Sequence, residues 1–321
     1  MYSWTLGYYG KLPVSPEFIR YQASGAEIDE LDQWLREGMY HAKSNLGSSW
    51  STDFARGDSW GFLYFPRDRN RFVIGALKPS RDKAGREFPF LVYLLLKREE
   101  FSGTPWCAPM HFKEFFEHSH RLLSDVGDES DLARLQFRLQ ALAPVETPET
   151  SSVETRYHAE LLRRRMRDYW TDLFGGFDNT QKYQVFGSLF RQRSGAQTAS
   201  QRQAKLPLFP LSKEETYDLP FWIDVASHAW RHTFDAGIIL WNRWSSKVKP
   251  VLFVSLECPT PQLLLYLIHP ESWENGQSGA GKLAEELSDG GRALLDEGDV
   301  TLEAFLHRVS SIRAEESIRT E

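Results

Sequence analysis

Hydrophobic positions follow a strand pattern at six places along the chain. Each run is short, rich in aromatic or branched residues, and bounded by glycine, proline or charged residues. The predicted strands cover residues 4–9, 60–65, 71–77, 90–97, 236–241 and 250–256. Mostly short links join the first four, which favours antiparallel pairing because a parallel pair needs a long crossover. We expect the last two strands to extend the same sheet.

Apolar residues three and four positions apart predict a long helix over residues 26–46, with Gly47 as its C-cap. After Lys97 the pattern becomes mainly helical. The predicted helices cover residues 111–123, 131–142 with Asp131 as N-cap, 154–174, 262–268 and 302–312. Together with the strands, these helices indicate an α+β or three-layer arrangement.

Four further segments have weaker patterns. Residues 17–20 are compatible with a helical turn, and residues 183–190 with a short strand. Residues 144–152 are rich in Pro, Glu, Thr and Ser and predict a linker. The basic run 191–205 has few apolar residues and predicts a mobile loop.

Composition narrows the functional classes. The chain has 321 residues, of which 41% are hydrophobic and 14% aromatic, so it can bury a sizeable core. Its net charge of −6 disfavours binding of a polyanion by the chain as a whole. Two distant cysteines favour a reducing compartment over a disulfide framework. The N-terminus lacks signal-peptide character and residues 262–268 are too short to span a bilayer, so we expect a soluble cytoplasmic protein.

Two segments resemble catalytic motifs only in part. Residues 276–283 differ from a phosphate-binding P-loop because Leu283 replaces the hydroxyl residue that holds Mg²⁺, and no strand precedes them. Residues 294–297 imitate a Walker B motif but follow too closely for a crossover. Residues 57–61 spell a nucleophile elbow around Ser59, yet a strand pattern follows where the elbow needs a helix. A glycine-rich connection and an accidental match are the better interpretations.

Metal and nucleic-acid sites are weaker alternatives. His228 and His232 could share a helix face and form a two-His site with a remote Asp235. A second set has metal-ligand residue types: Cys107, His111, His118 and His120. Histidines at the surface or the core edge explain both sets more simply. Two arginine-rich runs could bind nucleic acid: 163–167 and 191–205. Acidic residues dilute the first run, so a solvated helix face is the favoured interpretation. Binding of an acidic protein partner ranks second.

A more specific pattern links two distant stretches. The first is Gly7-Tyr-Tyr-Gly-Lys-Leu-Pro13, followed by Glu17-Phe18 and by a helix containing Trp34-Leu35. The second is Pro79-Ser-Arg-Asp-Lys-Ala-Gly-Arg-Glu-Phe-Pro89. In order and spacing, these stretches resemble the TagF/ImpM family of type VI secretion accessory proteins. Residues 219–259 resemble the family's last strands and closing helix more loosely.

The resemblance implies an α/β fold, a three-layer α/β/α sandwich on a mostly antiparallel sheet, with extra helices in the middle and at the C-terminus. Residues 1–275 would form a composite TagF-like domain, with first strands and long helix in 1–100, a helical middle in 101–215 and closing strands in 216–275. Residues 276–321 would be a helical C-terminal extension. The middle is longer than expected for the family.

The family resemblance also implies a function. We expect a non-enzymatic accessory protein, without a cofactor or metal, that represses type VI secretion after translation. Its expected partner is a forkhead-associated-domain protein or the cytoplasmic part of the membrane complex, without membrane insertion or nucleic-acid binding. An undetected hydrolase or metal enzyme and a nucleic-acid-binding module are the alternatives.

The candidate partner-binding residues come from the two motif stretches. They are Gly10, Lys11, Leu12, Pro13, Ser80, Asp82, Gly85, Arg86, Phe88 and Pro89. We expect Gly85 to adopt a backbone angle that other residues avoid, and Arg86 to pair with Asp82 across the turn. Lys11-Leu12-Pro13 should pack beside that turn and form one composite surface with it. The alternative is that both motifs only brace the fold.

Overall fold

A computed structural model gives the fold of most of the chain. It describes residues 3–67, 70–101, 103–104, 107–128, 131–143, 150–191, 208–212, 217–230, 236–245, 249–270 and 287–318. These residues contain one eight-stranded sheet with helices on both of its faces. The predicted α/β sandwich is therefore confirmed.

Every strand pair in this sheet is antiparallel. The strands are β1 Trp4–Gly10, β2 Ile19–Tyr21, β3 Trp60–Phe65, β4 Arg71–Lys78, β5 Phe90–Lys97, β6 Leu208–Pro210, β7 Gly237–Trp241 and β8 Val251–Ser255. Their spatial order is β2-β1-β5-β4-β3-β7-β8-β6. The last two predicted strands thus extend the sheet formed by the first four, as expected.

Alternating side chains supply the two faces of the sheet. On β3, Phe62 and Tyr64 enter one apolar cluster while Leu63 and Phe65 enter the other. This is the period of two expected for a strand buried on both faces. The sheet therefore forms the middle layer and separates two hydrophobic cores.

The first face is covered by three helices. They are α1 Ala26–Leu46, α2 Trp50–Arg56 and a later helix at Pro261–Ile268. Ile28, Leu31 and Leu35 of α1 are buried together with Leu263 and Leu264 of the later helix. Gly47 follows α1 with a φ of +55°, which confirms the predicted C-cap.

The second face is covered by helices from the middle and the end of the described chain. In chain order they are α3 Ala108–His111, α4 Lys113–Asp125, α5 Leu132–Gln140, α6 Thr150–Arg163, α7 Met166–Phe174, α8 Gln181–Arg191 and α9 Asp218–Trp230. The last two helices of the second face are α11 Asp289–Asp296 and α12 Leu302–Ile318. The number α10 belongs to the later helix of the first face, Pro261–Ile268. The Asp131 carboxylate accepts hydrogen bonds from the amides of Ala133 and Arg134, which confirms the predicted N-cap.

Three local predictions are wrong. Residues 17–20 form no helical turn, because residues 19–21 pair with β1 as β2. Residues 183–190 are helical, within α8. The helix predicted over 154–174 is two helices, and Arg165 between them forms a β-bridge with Thr301.

Two further predicted segments lie partly outside the described residues. Helix α6 begins at Thr150, inside the predicted linker 144–152, whose residues 144–149 lie outside the described residues. Residues 192–205 of the predicted mobile loop lie outside them as well. The five apolar residues predicted as the face of the last helix are all buried: Leu302, Phe305, Leu306, Val309 and Ile312.

The domain boundary predicted between residues 275 and 276 also falls outside the described residues. Helix α12 beyond it packs into the same core as α7 and α9, through Phe305 against Trp170 and Phe221. The division into a domain and an extension stays a prediction. None of the helices in the described part of the chain has the length and apolarity that a membrane span requires.

Candidate functional site

The ten candidate residues lie in two adjacent loops and at their borders. The first loop, residues 11–18, connects β1 to β2, and the second loop, residues 79–89, connects β4 to β5. Because β1 and β5 are neighbours in the sheet, the end of β1 lies beside the start of β5. At Gly10, with a φ of +135°, an added Cβ would lie 2.2 Å from the carbonyl oxygen of Pro89. The close approach of the loops therefore requires glycine there.

The carboxylate of Asp82 is the centre of the contact between the loops. Its Oδ2 accepts from Lys11 Nζ at 2.9 Å and from Arg86 Nε at 2.7 Å. Its Oδ1 accepts from the backbone amides of Ala84 at 3.0 Å and Arg86 at 2.8 Å. The predicted pairing of Arg86 with Asp82 is confirmed. We call Lys11, Asp82 and Arg86 the clamp.

The clamp fixes the ionisation state of its carboxyl group. The Asp82 side chain is fully buried, and burial by itself would raise its pKa. The hydrogen bonds from Lys11 and Arg86 outweigh that effect and hold the pKa of Asp82 well below its usual range. Asp82 is therefore a carboxylate throughout the physiological range and carries the charge that keeps Lys11 in its buried position.

The second loop is a tight turn built around Asp82. The amide of Gly85 donates to the carbonyl of Asp82 at 2.9 Å, and the amide of Asp82 donates to the carbonyl of Arg86 at 3.0 Å. Gly85 has a φ of +81°, which confirms the predicted unusual backbone angle. Nothing lies within 4 Å of where its Cβ would stand, so the turn geometry alone selects glycine.

Further hydrogen bonds join the two loops directly. The amide of Lys83 donates to the carbonyl of Ser15 at 3.0 Å. Arg86 Nη2 donates to the carbonyl of Pro16. The expectation that the Lys11 loop packs beside the turn is therefore confirmed. The two loops form one unit, although the two residues of the Lys11–Asp82 pair are 71 positions apart in the chain.

Aromatic side chains support this unit from within. Phe18 and Phe88 meet edge to face with ring centroids 5.0 Å apart. The Phe18 ring also has two cations over it, Lys11 Nζ at 5.2 Å and Arg20 Cζ at 5.3 Å from its centroid. The acidic-Phe pair at residues 17 and 18 thus places an aromatic platform next to the clamp.

A second connection, to helix α2, was not predicted from the sequence. Glu87 accepts from Ser51 Oγ at 2.8 Å and from the indole of Trp50, and it pairs with Arg81 at 3.4 Å. Arg81 in turn donates to the carbonyl of Ser51 at 2.6 Å. The alternation of charges at Arg81, Arg86 and Glu87 offered a signal, but nothing local identified α2 as the partner.

Burial divides the ten candidates into three groups. Six are buried and brace the loops: Gly10, Lys11, Leu12, Asp82, Phe88 and Pro89. Ser80 is partly buried, and its carbonyl accepts from the amide of Phe88 at 3.0 Å. Pro13, Gly85 and Arg86 are exposed, and so are Lys83 and Ala84 beside them. Most of the motif therefore fixes geometry, and a smaller exposed part is open to a partner.

The elbow-like residues 57–61 lack the strand–turn–helix order. Helix α2 precedes Ser59 and β3 follows it. Ser59 is buried and its hydroxyl contacts Nδ1 of His120, whose ring stacks on Trp244 with centroids 5.0 Å apart. Burial is the main cause that lowers the pKa of His120. The contact fastens α4 to the start of β3.

The predicted metal sets find little geometric support within the described residues, which contain no group of three or more His, Cys, Asp or Glu side chains suited to a metal. His228 pairs with Asp224 at 3.0 Å, whereas His232 and Asp235 lie outside the described residues. Burial raises the pKa of the Cys107 thiol to about 12, which disfavours the thiolate that metals bind.

The P-loop-like, Walker B-like and arginine-rich segments are the remaining sequence motifs. Residues 276–283 lie outside the described residues, and the Walker B imitation is at the end of helix α11 rather than on a strand. In the arginine-rich run, Arg163 pairs with Glu160 at 2.7 Å and Arg164 with Asp172 at 2.5 Å. Arg164 is buried, so the interpretation as a wholly solvated face is wrong for that residue.

Comparisons with known proteins give one domain match and one fold match. Residues 7–142 match the model of the TagF N-terminal domain, described as type VI secretion system-associated. The crystal structure of PA0076 from Pseudomonas aeruginosa PAO1 has a similar fold, with a TM-score of 0.51 and 20% identity over 82% of this chain and 94% of that chain. At this identity the similarity shows the fold alone. No curated protein matches this chain.

Proposed function

We propose that the protein is a non-enzymatic accessory protein that represses type VI secretion after translation. The proposal is supported by the match of residues 7–142 to the TagF N-terminal domain, which is described as type VI secretion system-associated. The protein acts in the cytoplasm by binding a component of the secretion machine. The proposed partner is a forkhead-associated-domain protein or the cytoplasmic part of the membrane complex. The proposed contact surface is the exposed part of the two loops.

One observation carries this proposal. Two motif stretches from distant parts of the chain are fastened through the single carboxylate of Asp82, with Lys11 from the first loop and Arg86 from the second. Loops held in one geometry lose little conformational entropy when a partner binds them. Both loops also lie inside the matched domain.

The chemistry of the clamp favours binding over catalysis. A general base works best when its pKa is close to the working pH. The pKa of Asp82 is far below that value, and four donors surround its two oxygens. Asp82 is therefore suited to hold the loops and unsuited to abstract a proton.

A deletion experiment tests the repressor role. We expect a bacterium that lacks this protein to release more type VI substrate into the medium, and the wild-type chain to restore the lower level. Immunoblotting of culture medium and cells measures the release. Unchanged or reduced secretion in the deletion strain would contradict repression.

An affinity experiment tests the mode of action. The tagged full-length chain is recovered from a bacterium with active type VI secretion, and mass spectrometry identifies the co-purified proteins. We expect a secretion component to be enriched over a strain with an unrelated tagged protein of similar acidity. Its absence, together with substrate turnover by the purified chain, would reject the proposal.

A further inference from the structure

We propose that the exposed part of the two loops recognises a short acidic segment of the partner protein. This inference rests on the proposed function and adds the chemistry of the partner. It concerns a positively charged surface made by Arg20, Lys83 and Arg86, together with the ring of Phe18 beneath Arg20. We call these four residues the basic rim.

The exposed part of the two loops carries more positive than negative charge. The clamp contains two cations and one carboxylate, so it retains one positive charge. The Arg86 side chain is 58% exposed and Arg20 and Lys83 are exposed as well. In the same loops, Glu17 is exposed, Glu87 is partly buried and pairs with Arg81, and Asp82 is buried. The surface is therefore electropositive on a chain whose net charge is −6.

Two of the rim cations can accept a new ion-pair partner. Within the described part of the chain, neither Arg20 nor Lys83 has a carboxylate at ion-pair distance. The carboxylate of the clamp, Asp82, already accepts from four donors. An incoming carboxylate would meet Arg20 and Lys83, which no described carboxylate already pairs with, and this favours charge-assisted hydrogen bonds.

The rim is also preorganised. The Lys83 amide bonds to Ser15 and the Arg86 guanidinium bonds to both Asp82 and Pro16, so the backbone that carries these cations is fixed. Arg20 lies over Phe18, which meets Phe88 edge to face. Partly exposed Phe18 adds an apolar contact area next to Arg20. An acidic segment with an apolar residue fits this arrangement.

The whole chain argues against a long polyanion as the occupant. A nucleic acid is longer than the rim and would also lie against other parts of a chain whose net charge is −6, which disfavours its binding. A short acidic segment experiences mainly the local field of the rim. The favoured occupant is therefore a stretch of Asp and Glu on the partner protein.

The test compares three full-length proteins: wild type, a rim variant with Arg20→Glu and Lys83→Glu, and a control with Arg163→Glu and Arg167→Glu. The control makes the same charge change on exposed arginines, with side chains 74% and 55% exposed, outside the two loops. Each protein is used to recover type VI components from a secreting bacterium at low and high NaCl. Thermal unfolding checks that all three are folded.

We expect the rim variant to recover roughly tenfold less of the secretion component, since each exposed ion pair contributes modestly and reversal adds repulsion. The control should recover as much as wild type, and high salt should weaken the wild-type complex. If wild type recovers the component and the rim variant recovers it equally, this inference fails while the proposed function stands. If wild type recovers none, the proposed function fails.

Competition identifies the occupant. A ten-residue polyglutamate peptide, inorganic phosphate, a DNA duplex and vesicles with anionic lipid are each added to the wild-type complex. Displacement by polyglutamate, and not by a polyglutamine peptide of the same length, supports the inference. Displacement only by phosphate, DNA or vesicles would overturn it, because the rim would then serve a different anion.

Discussion

The clamp and the aromatic cluster are two solutions to the same problem, holding distant parts of the chain together. The clamp joins two loops through directional hydrogen bonds to one carboxylate. The aromatic cluster lies on the second face of the sheet and joins α7, α8, α9, α12 and β6 by packing. Its members are Tyr169, Trp170, Phe186, Phe209, Phe221, Trp222 and Phe305.

The difference separates stability from recognition. Aromatic burial stabilises in proportion to area and tolerates some change of shape. The clamp buries little apolar area, and its value lies in fixing where Arg86 and Lys83 stand. We therefore expect changes in the cluster to affect unfolding most, and changes at the rim to affect partner binding most.

The largest expected effect is in the cluster. Trp222 is fully buried, its indole donates to the carbonyl of Pro210 at 3.0 Å, and its ring lies 4.8 Å from that of Phe209. Trp222→Ala should lower the free energy of unfolding by about 3–5 kcal/mol. Urea unfolding measures this loss. Trp222→Phe should lose clearly less, and equal losses for both variants would contradict packing as the cause.

The next effect is in the clamp. Asp82→Asn removes the charge that balances buried Lys11 and turns an amide donor toward other donors, so we expect a lower melting temperature at pH 7. The folded pKa of Asp82 lies below the unfolded value of about 3.9. The contribution of ionised Asp82 to the free energy of unfolding is therefore complete above about pH 5, and it is lost as the pH falls through the folded pKa.

The melting temperatures of wild type and Asp82→Asn should accordingly converge as the pH is lowered from 7 to 3. Thermal unfolding followed by circular dichroism measures both proteins across that range. A difference that is constant with pH would contradict the electrostatic role of the clamp. Lys11→Met is the matched control for Asp82→Asn, since it removes the buried cation of the clamp and leaves Asp82 paired with Arg86.

A smaller effect is expected from the turn. Gly85→Ala forces a side chain into a φ of +81°, which costs about 1–2 kcal/mol, although no atom blocks the Cβ. Gly85→Asn should cost less, because Asn tolerates this region. Chemical unfolding of both variants tests the order. An Ala variant as stable as wild type would show that the turn can adopt another backbone path.

The smallest effect on stability, and a large one on binding, is expected from Arg86→Ala. Its side chain is 58% exposed, so the ion pair with Asp82 should contribute no more than about 1 kcal/mol. Recovery of the secretion component should nevertheless fall. A variant with unchanged melting temperature and unchanged recovery would remove Arg86 from the proposed surface.

The two regions also differ in how far the sequence predicts them. Around the clamp, the local sequence indicates the structure: Gly85 is typical of a tight turn, and Asp82 and Arg86 are close enough in the chain to pair across it. Both the turn and the pairing are therefore predictable. Strand β2 is not predictable in this way, because its three residues become a strand through pairing with β1 and through tertiary contacts such as the burial of Ile19. Short segments of this kind carry no periodic signal of their own.

The helical region is harder to predict because tertiary contacts decide its local structure. The break between α6 and α7 is held by the carbonyl of Arg164, which accepts from the amide of Leu302 at 3.0 Å, and by the bridge from Arg165 to Thr301. Nothing near residue 164 in the sequence shows this partner. In α8, buried Phe186 and Leu189 are three apart, a helical spacing that the strand interpretation overlooked.

Site-specific crosslinking tests the central claim, that the exposed face of the two loops contacts a type VI component. Ala84→p-benzoylphenylalanine places a photocrosslinker on the second loop, and Leu162→p-benzoylphenylalanine places one on α6, where Leu162 is 49% exposed. After illumination of a secreting bacterium, mass spectrometry identifies the attached proteins. The account predicts a secretion component attached to position 84 and not to position 162. The component attached only to position 162, or to neither position, would contradict it.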